Sequence, residues 1–170
     1  MRNAFAAALC LLAAPAAAQS AAGPCAEEAY RAFDFWIGEW EVFNRAGEKA
    51  GDNSIVAEED GCLLVERWTG ARGGTGQSYN YYDPTTQKWR QIWVSAGFVI
   101  DYEGGLNAKG EMVLEGTIAY RDGRTAPFRG TWTPLENGDV RQFFEQRDAE
   151  TGAWREWFTG VYKLKSAGAH

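Results

Sequence analysis

The chain has 170 residues, with 17 Lys+Arg against 23 Asp+Glu for a formal charge of −6, 14% aromatic residues, 20 glycines and a single histidine. Eight tryptophans and 45% hydrophobic residues exclude a disordered chain and supply the core of one domain. The acidic balance argues against nucleic acid or an anionic membrane as the main partner, and a lone histidine at the last position, His170, leaves little room for a His-ligated metal, a haem or a Ser-His-Asp triad.

Residues 1–18 read MRNAFAAALCLLAAPAAA, one early charge (Arg2), an apolar run, then Ala16-Ala17-Ala18. Small residues at −3 and −1 suit a signal peptidase, so a signal peptide cleaved after Ala18 is expected. The apolar run is shorter than the roughly 20 residues of a spanning helix. The processed protein is therefore expected in the periplasm or secreted, with no membrane contact. Cys10 leaves with the leader, while Cys25 and Cys62 remain as a pair. In an oxidising compartment such a pair forms a disulfide; two buried free thiols are the alternative. A metal site is not expected from two cysteines alone.

The segment 19–32 carries the one helix signal. Pro24 precedes CAEEAYRAF (25–33), and Glu27 and Glu28 fall in its first turn, where the helix dipole favours them. The rest, 33–165, is punctuated by turn residues between β-branched and aromatic stretches, and 166–170 form a tail. Ten strands are expected, at 36–44, 52–60, 62–69, 77–83, 88–95, 98–105, 111–120, 125–134, 139–147 and 154–164. Connections such as Asp60-Gly61, Asp122-Gly123 and Asn137-Gly138 tolerate the positive φ of tight hairpins and are too short for parallel crossovers. The fold class is thus all-β and antiparallel. An up-and-down barrel of about ten strands removes all sheet edges, and a two-sheet sandwich is the alternative.

Strand alternation sorts the candidate interior residues. Trp36, Gly38 and Trp40 share one face, Glu66 and Trp68 another, then Ser78, Asn80 and Tyr82; Trp89, Gln91 and Trp93; and Gln142, Phe144 and Gln146. Arg141, Glu145 and Arg147 fall on the opposite, solvated face of their strand. A purely structural interior favours Val, Ile and Leu, because unpaired amides are costly to bury. The candidate ligand-binding set is Glu66, Trp68, Asn80, Tyr82, Trp89, Gln91, Trp93, Gln142 and Phe144, an aromatic and amide mixture suited to a small-molecule pocket. A closed core whose amides satisfy one another is the alternative.

At FDFWIGEWEV (Phe33–Val42), Gly38-Glu39-Trp40 resembles the G-x-W signature of the calycins, the lipocalin, avidin and fatty-acid-binding-protein group. The resemblance implies structural roles for Gly38 and Trp40. A short helix would precede the first strand, and Trp40 would plug the closed end under a basic side chain from Arg141, Arg155 or Lys163. More closely, the chain resembles a family of exported bacterial proteins of unknown function with the motifs FDFWxGEWxV, GCxLxExW and SxNxYDPxTxxWxQxWV. These occur at Phe33–Val42, Gly61–Trp68 and Ser78–Val94. That resemblance implies a lipocalin-like barrel and no particular activity. Ten strands are also similar to nitrobindin, a haem barrel whose iron is held by histidine; this chain has none within the fold, so no cofactor is expected.

The glycine-rich Gly70–Gly76 lacks the Gly-Lys-Ser/Thr ending of a phosphate loop and reads as a hairpin at the barrel mouth, with a lid as one role. Glu58, Glu59 and Asp60 read as a solvated strand end rather than a cation site. The function expected is binding of a small, partly apolar ligand. Two alternatives stand beside it. One is an enzyme using Glu66 as acid or base; the other is a filled structural or interaction barrel with an apolar outer patch, or with exposed coplanar tryptophans for carbohydrate.

Overall fold

A computed structural model describes residues 23–166; the expected leader, Cys10 and His170 lie outside them. The chain forms one short helix, α1 (Glu28–Arg31), a 3-10 turn at Asp34–Trp36, and ten strands. The strands are β1 (Gly38–Asn44), β2 (Lys49–Glu58), β3 (Leu63–Gly70), β4 (Thr75–Asp83) and β5 (Lys88–Ser95). They continue as β6 (Phe98–Leu106), β7 (Met112–Tyr120), β8 (Thr125–Pro134), β9 (Val140–Arg147) and β10 (Trp154–Leu164).

Each strand pairs antiparallel with its sequence neighbours, and β1 pairs with β10, closing the barrel. The sandwich alternative is thereby eliminated: every strand has two partners, so no edge remains. The up-and-down order puts the β2–β3, β4–β5, β6–β7 and β8–β9 connections at one end, together with the N-terminal segment. The other five hairpins form the mouth.

The helix is shorter than the sequence suggests, and Trp36 lies in the 3-10 turn rather than on β1. Tertiary contacts decide this. Phe33 and Trp36 are 0% exposed because the segment folds across the closed end: Phe33 stacks on Trp36 at 5.0 Å and meets Trp89 and Trp132 edge-on. The expected tight turn after β2 is a 3-10 turn over Glu59–Gly61 instead. Its residues have φ of 51°, 55° and 85°, a conformation uncommon for a non-glycine such as Glu59. The Cys25–Cys62 disulfide fastens the N-terminal segment beside this turn. Closing a loop with a sequence separation of 37 residues contributes about 3–4 kcal/mol by restricting the unfolded chain.

Trp40 is buried, its indole N–H donating to the Trp36 carbonyl at 3.0 Å. Its ring meets Tyr162 edge-on rather than a basic side chain. The three expected covers are engaged elsewhere: Arg141 faces Glu111, Arg155 pairs with Asp148, and Lys163 lies over the Phe43 ring. Gly38 has φ +153°, and a Cβ there would press on Trp40 and Leu164.

Candidate ligand-binding site

The barrel interior divides along its axis. At the closed end Phe33, Trp36, Trp40, Trp89 and Trp132 pack with Leu64, Met112 and Leu114 into a filled core, each no more than 3% exposed. Toward the mouth is a cavity of about 210 Å³. Trp68, Trp93, Phe98, Phe144, Trp157 and Phe158 form its aromatic walls, Ile100 adds to them, and Glu66, Gln91, Tyr102, Gln142 and Tyr162 supply its polar side. An apolar cavity of about 150 Å³ takes a benzene, so this one has room for a ring and about two or three further heavy atoms.

Two devices hold the walls apart. One is a set of inward-facing glycines. A Cβ on Gly76 would lie 2.2 Å from the Trp93 ring, one on Gly51 2.6 Å from Trp68, and one on Gly130 2.8 Å from Phe144. Each ring therefore lies against the sheet where a neighbouring strand lacks a side chain, instead of filling the lumen. The other device is a bulge in β10 between Glu156 and Phe158. The extra residue breaks strict alternation, so consecutive Trp157 and Phe158 both line the cavity.

Beneath the walls, a belt of polar side chains passes from strand to strand. Tyr102 donates to the Gln91 carbonyl oxygen, and Gln91 donates to Asn80 Oδ1. Asn80 Nδ2 donates to Ser78 Oγ at 2.9 Å and to the Leu64 carbonyl at 3.0 Å. Ser78 donates to Glu66 Oε2 at 2.6 Å, while Asn53 Nδ2 donates to Glu66 Oε1 at 2.7 Å. Asn53 Nδ2 also reaches Tyr162 Oη at 3.3 Å, and Tyr162 donates to Gln142 at 2.9 Å. The donors on both sides point toward Glu66, the arrangement an acceptor-only carboxylate imposes.

Glu66 is 4% exposed, and no Lys, Arg or His lines its cavity. Burial raises its pKa to about 7, against the opposing pull of the Ser78 and Asn53 hydrogen bonds. Tyr102 and Tyr162 are held well above the usual phenol value of 10, first by burial and then by the Glu66 charge. Both stay protonated at neutral pH. Asn53 Oδ1 and Trp93 Nε1 are buried with no hydrogen-bond partner among the described residues.

Of the nine candidates from the sequence, Glu66, Trp68, Gln91, Trp93, Gln142 and Phe144 line the cavity. Asn80, 0% exposed, stands behind them in the belt. Tyr82 and Trp89 are at the closed end: Tyr82 meets Tyr30 at 5.0 Å, and Trp89 donates to the Ala29 carbonyl at 2.9 Å. They share a strand face with the lining residues but sit too near the N-terminal segment to reach the cavity. Phe98, Ile100 and Tyr102, missing from the sequence set, alternate with Val99, Asp101 and Glu103, a signal that was present in β6. Trp157 had no such signal, because a bulge is invisible to alternation.

Elsewhere, the Gly70–Gly76 hairpin is tied down at the mouth, Gly70 N–H donating to Gly74 and Ala71 N–H to Ala50. Glu58 pairs with Arg67 at 3.1 Å, and no group of three or more metal-ligating side chains occurs among the described residues. Trp157, 38% exposed over the cavity mouth, is the one tryptophan among the exposed large hydrophobics, so the outer wall carries no coplanar tryptophan platform among the described residues. Val56, Tyr79, Val94 and Val99 do leave apolar surface on the outside of β2–β6. Among the described residues, no helix is long and apolar enough to cross a membrane. No protein-family model matches the chain, and no curated protein matches it.

Proposed function

We propose that the protein is an exported binding barrel that holds a small, partly apolar molecule in the cavity between Trp68, Trp93, Phe144 and Trp157. The observation that carries this reading is the contrast inside one barrel. The closed end is packed solid, whereas the mouth end keeps about 210 Å³ free with glycines placed under the rings that border it. Interiors normally close such space, because each unfilled volume forfeits contacts. The Cys25–Cys62 disulfide supports export, since such bonds persist in oxidising compartments.

The kinship with exported bacterial barrels belongs to the same proposal. Its three motifs supply the plug (Phe33, Trp36, Trp40), then Glu66 and Trp68, then Ser78, Asn80, Gln91 and Trp93. The experiment is native mass spectrometry of the protein purified from its own host. An adduct of about eight or nine heavy atoms, released on denaturation, is expected. A bare mass in repeated preparations, together with no binding of any small aromatic molecule added at millimolar concentration, overturns the reading.

One observation favours a second reading: a carboxyl with its pKa near 7 beside a cavity is suited to general acid–base work. Under that reading Glu66→Gln abolishes turnover of a bound substrate while leaving its binding within a few-fold.

A further inference from the structure

The polar side of the cavity is electrically one-sided. It presents a carboxyl group, and the groups that hydrogen-bond it, Asn53 and Ser78, are neutral. A buried carboxylate ordinarily has a cation beside it, because leaving its charge uncompensated costs several kcal/mol. Here no lysine, arginine or histidine lines the cavity. The other titratable groups facing Glu66, Tyr102 from β6 and Tyr162 from β10, remain protonated and carry no positive charge. No side chain that lines the cavity supplies the counter-charge.

The aromatic walls have the same preference. An aromatic ring presents a negative face, which attracts a cation held against it. An anion would meet both the ring faces and the Glu66 carboxylate. Resting on the reading of this cavity as a ligand site, we propose that its ligand is an organic cation. A protonated primary amine on a compact aromatic or apolar body would set its ammonium group against Glu66 and its body between Trp68, Trp93 and Trp157. The ammonium supplies the charge the belt lacks; the donors already converging on Glu66 hold the carboxylate in place to receive it.

Three probes of nearly equal size separate the possibilities: benzylamine, benzyl alcohol and benzoate, titrated against the purified protein by calorimetry and tryptophan fluorescence. At pH 8, where Glu66 is ionised and the amine protonated, benzylamine is expected to bind at least tenfold more tightly than benzyl alcohol, and benzoate not measurably. The preference shrinks several-fold at pH 5.5, where Glu66 carries its proton. In Glu66→Gln the preference for benzylamine over benzyl alcohol falls to near unity. Benzyl alcohol or benzoate matching benzylamine in the unaltered protein overturns the cation proposal and leaves the cavity reading intact. So does an amine preference that is unchanged by both pH and Glu66→Gln. If none of the three binds, the cavity reading itself fails. The pH series on the unaltered protein decides the matter even if the variant does not fold.

Discussion

The two ends of this barrel are built from the same kinds of residue and do opposite things with them. At the closed end Phe33, Trp36 and Trp132 press on one another at centroid distances of 5.0 to 5.6 Å, and none of the three has exposed surface. At the mouth, Trp68, Trp93, Phe144 and Trp157 border an open volume of about 210 Å³. Aromatic content does not distinguish a plug from a pocket. What separates them is whether a chain segment enters to fill the space, as residues 33–36 do below, and whether glycines let the rings lie back, as Gly51, Gly76 and Gly130 do above.

The largest expected effect falls at the plug. Trp36→Ala removes a fully buried indole and should cost about 3–5 kcal/mol, read by urea denaturation. A loss under about 1 kcal/mol would mean the closed end is not the stabilising half.

Next comes the belt. Because burial lifts Glu66 from its ordinary 4.5 to about 7, the folded chain keeps a proton that the unfolded chain has released between those values. Its contribution to stability is full below pH 4.5 and is lost as pH rises through about 7, a change of about 3 kcal/mol. Comparing denaturation of the unaltered protein and Glu66→Gln from pH 4 to 8 isolates this term. Parallel curves would place Glu66 in contact with solvent or a cation.

Gly76→Ala is smaller in stability but sharper in meaning. Its methyl group would meet the Trp93 ring at 2.2 Å, so the ring must move into the cavity, at about 1–3 kcal/mol. Binding of benzyl alcohol should be lost with it; retained binding would put the ligand elsewhere. The smallest effect is at the rim. Trp157→Ala, at a side chain 38% exposed, should cost about 1–2 kcal/mol. A faster probe dissociation rate is its expected signature, and an unchanged rate would remove Trp157 from the wall.

Most of the architecture was legible because hairpin chemistry marks it. Dipeptides such as Asp122-Gly123 and Asn137-Gly138 set strand limits, and Gly123 and Gly138 indeed have φ of +85°. Alternation likewise identified Glu66, Trp68, Gln91, Trp93, Gln142 and Phe144 as one group. It gave the face but not the depth: Tyr82 and Trp89 lie on the same face and end under the N-terminal segment, which only tertiary packing determines. Trp36 was assigned to a strand for the same reason, since nothing local says that Phe33–Trp36 turns inward. Trp157 was out of reach because a bulge moves one residue to the other face without changing composition. The cover over Trp40 was expected from resemblance alone, and Tyr162 takes that place.

The most direct test of the contrast between the two ends uses the indole N–H resonances of the tryptophans as position markers. Benzyl alcohol titrated into isotope-labelled protein should shift the signals of Trp68, Trp93 and Trp157 and leave those of Trp36, Trp40 and Trp132 unmoved. Shifts at the closed end, shifts spread evenly over all six, or none at saturating probe would contradict a ligand cavity at the mouth.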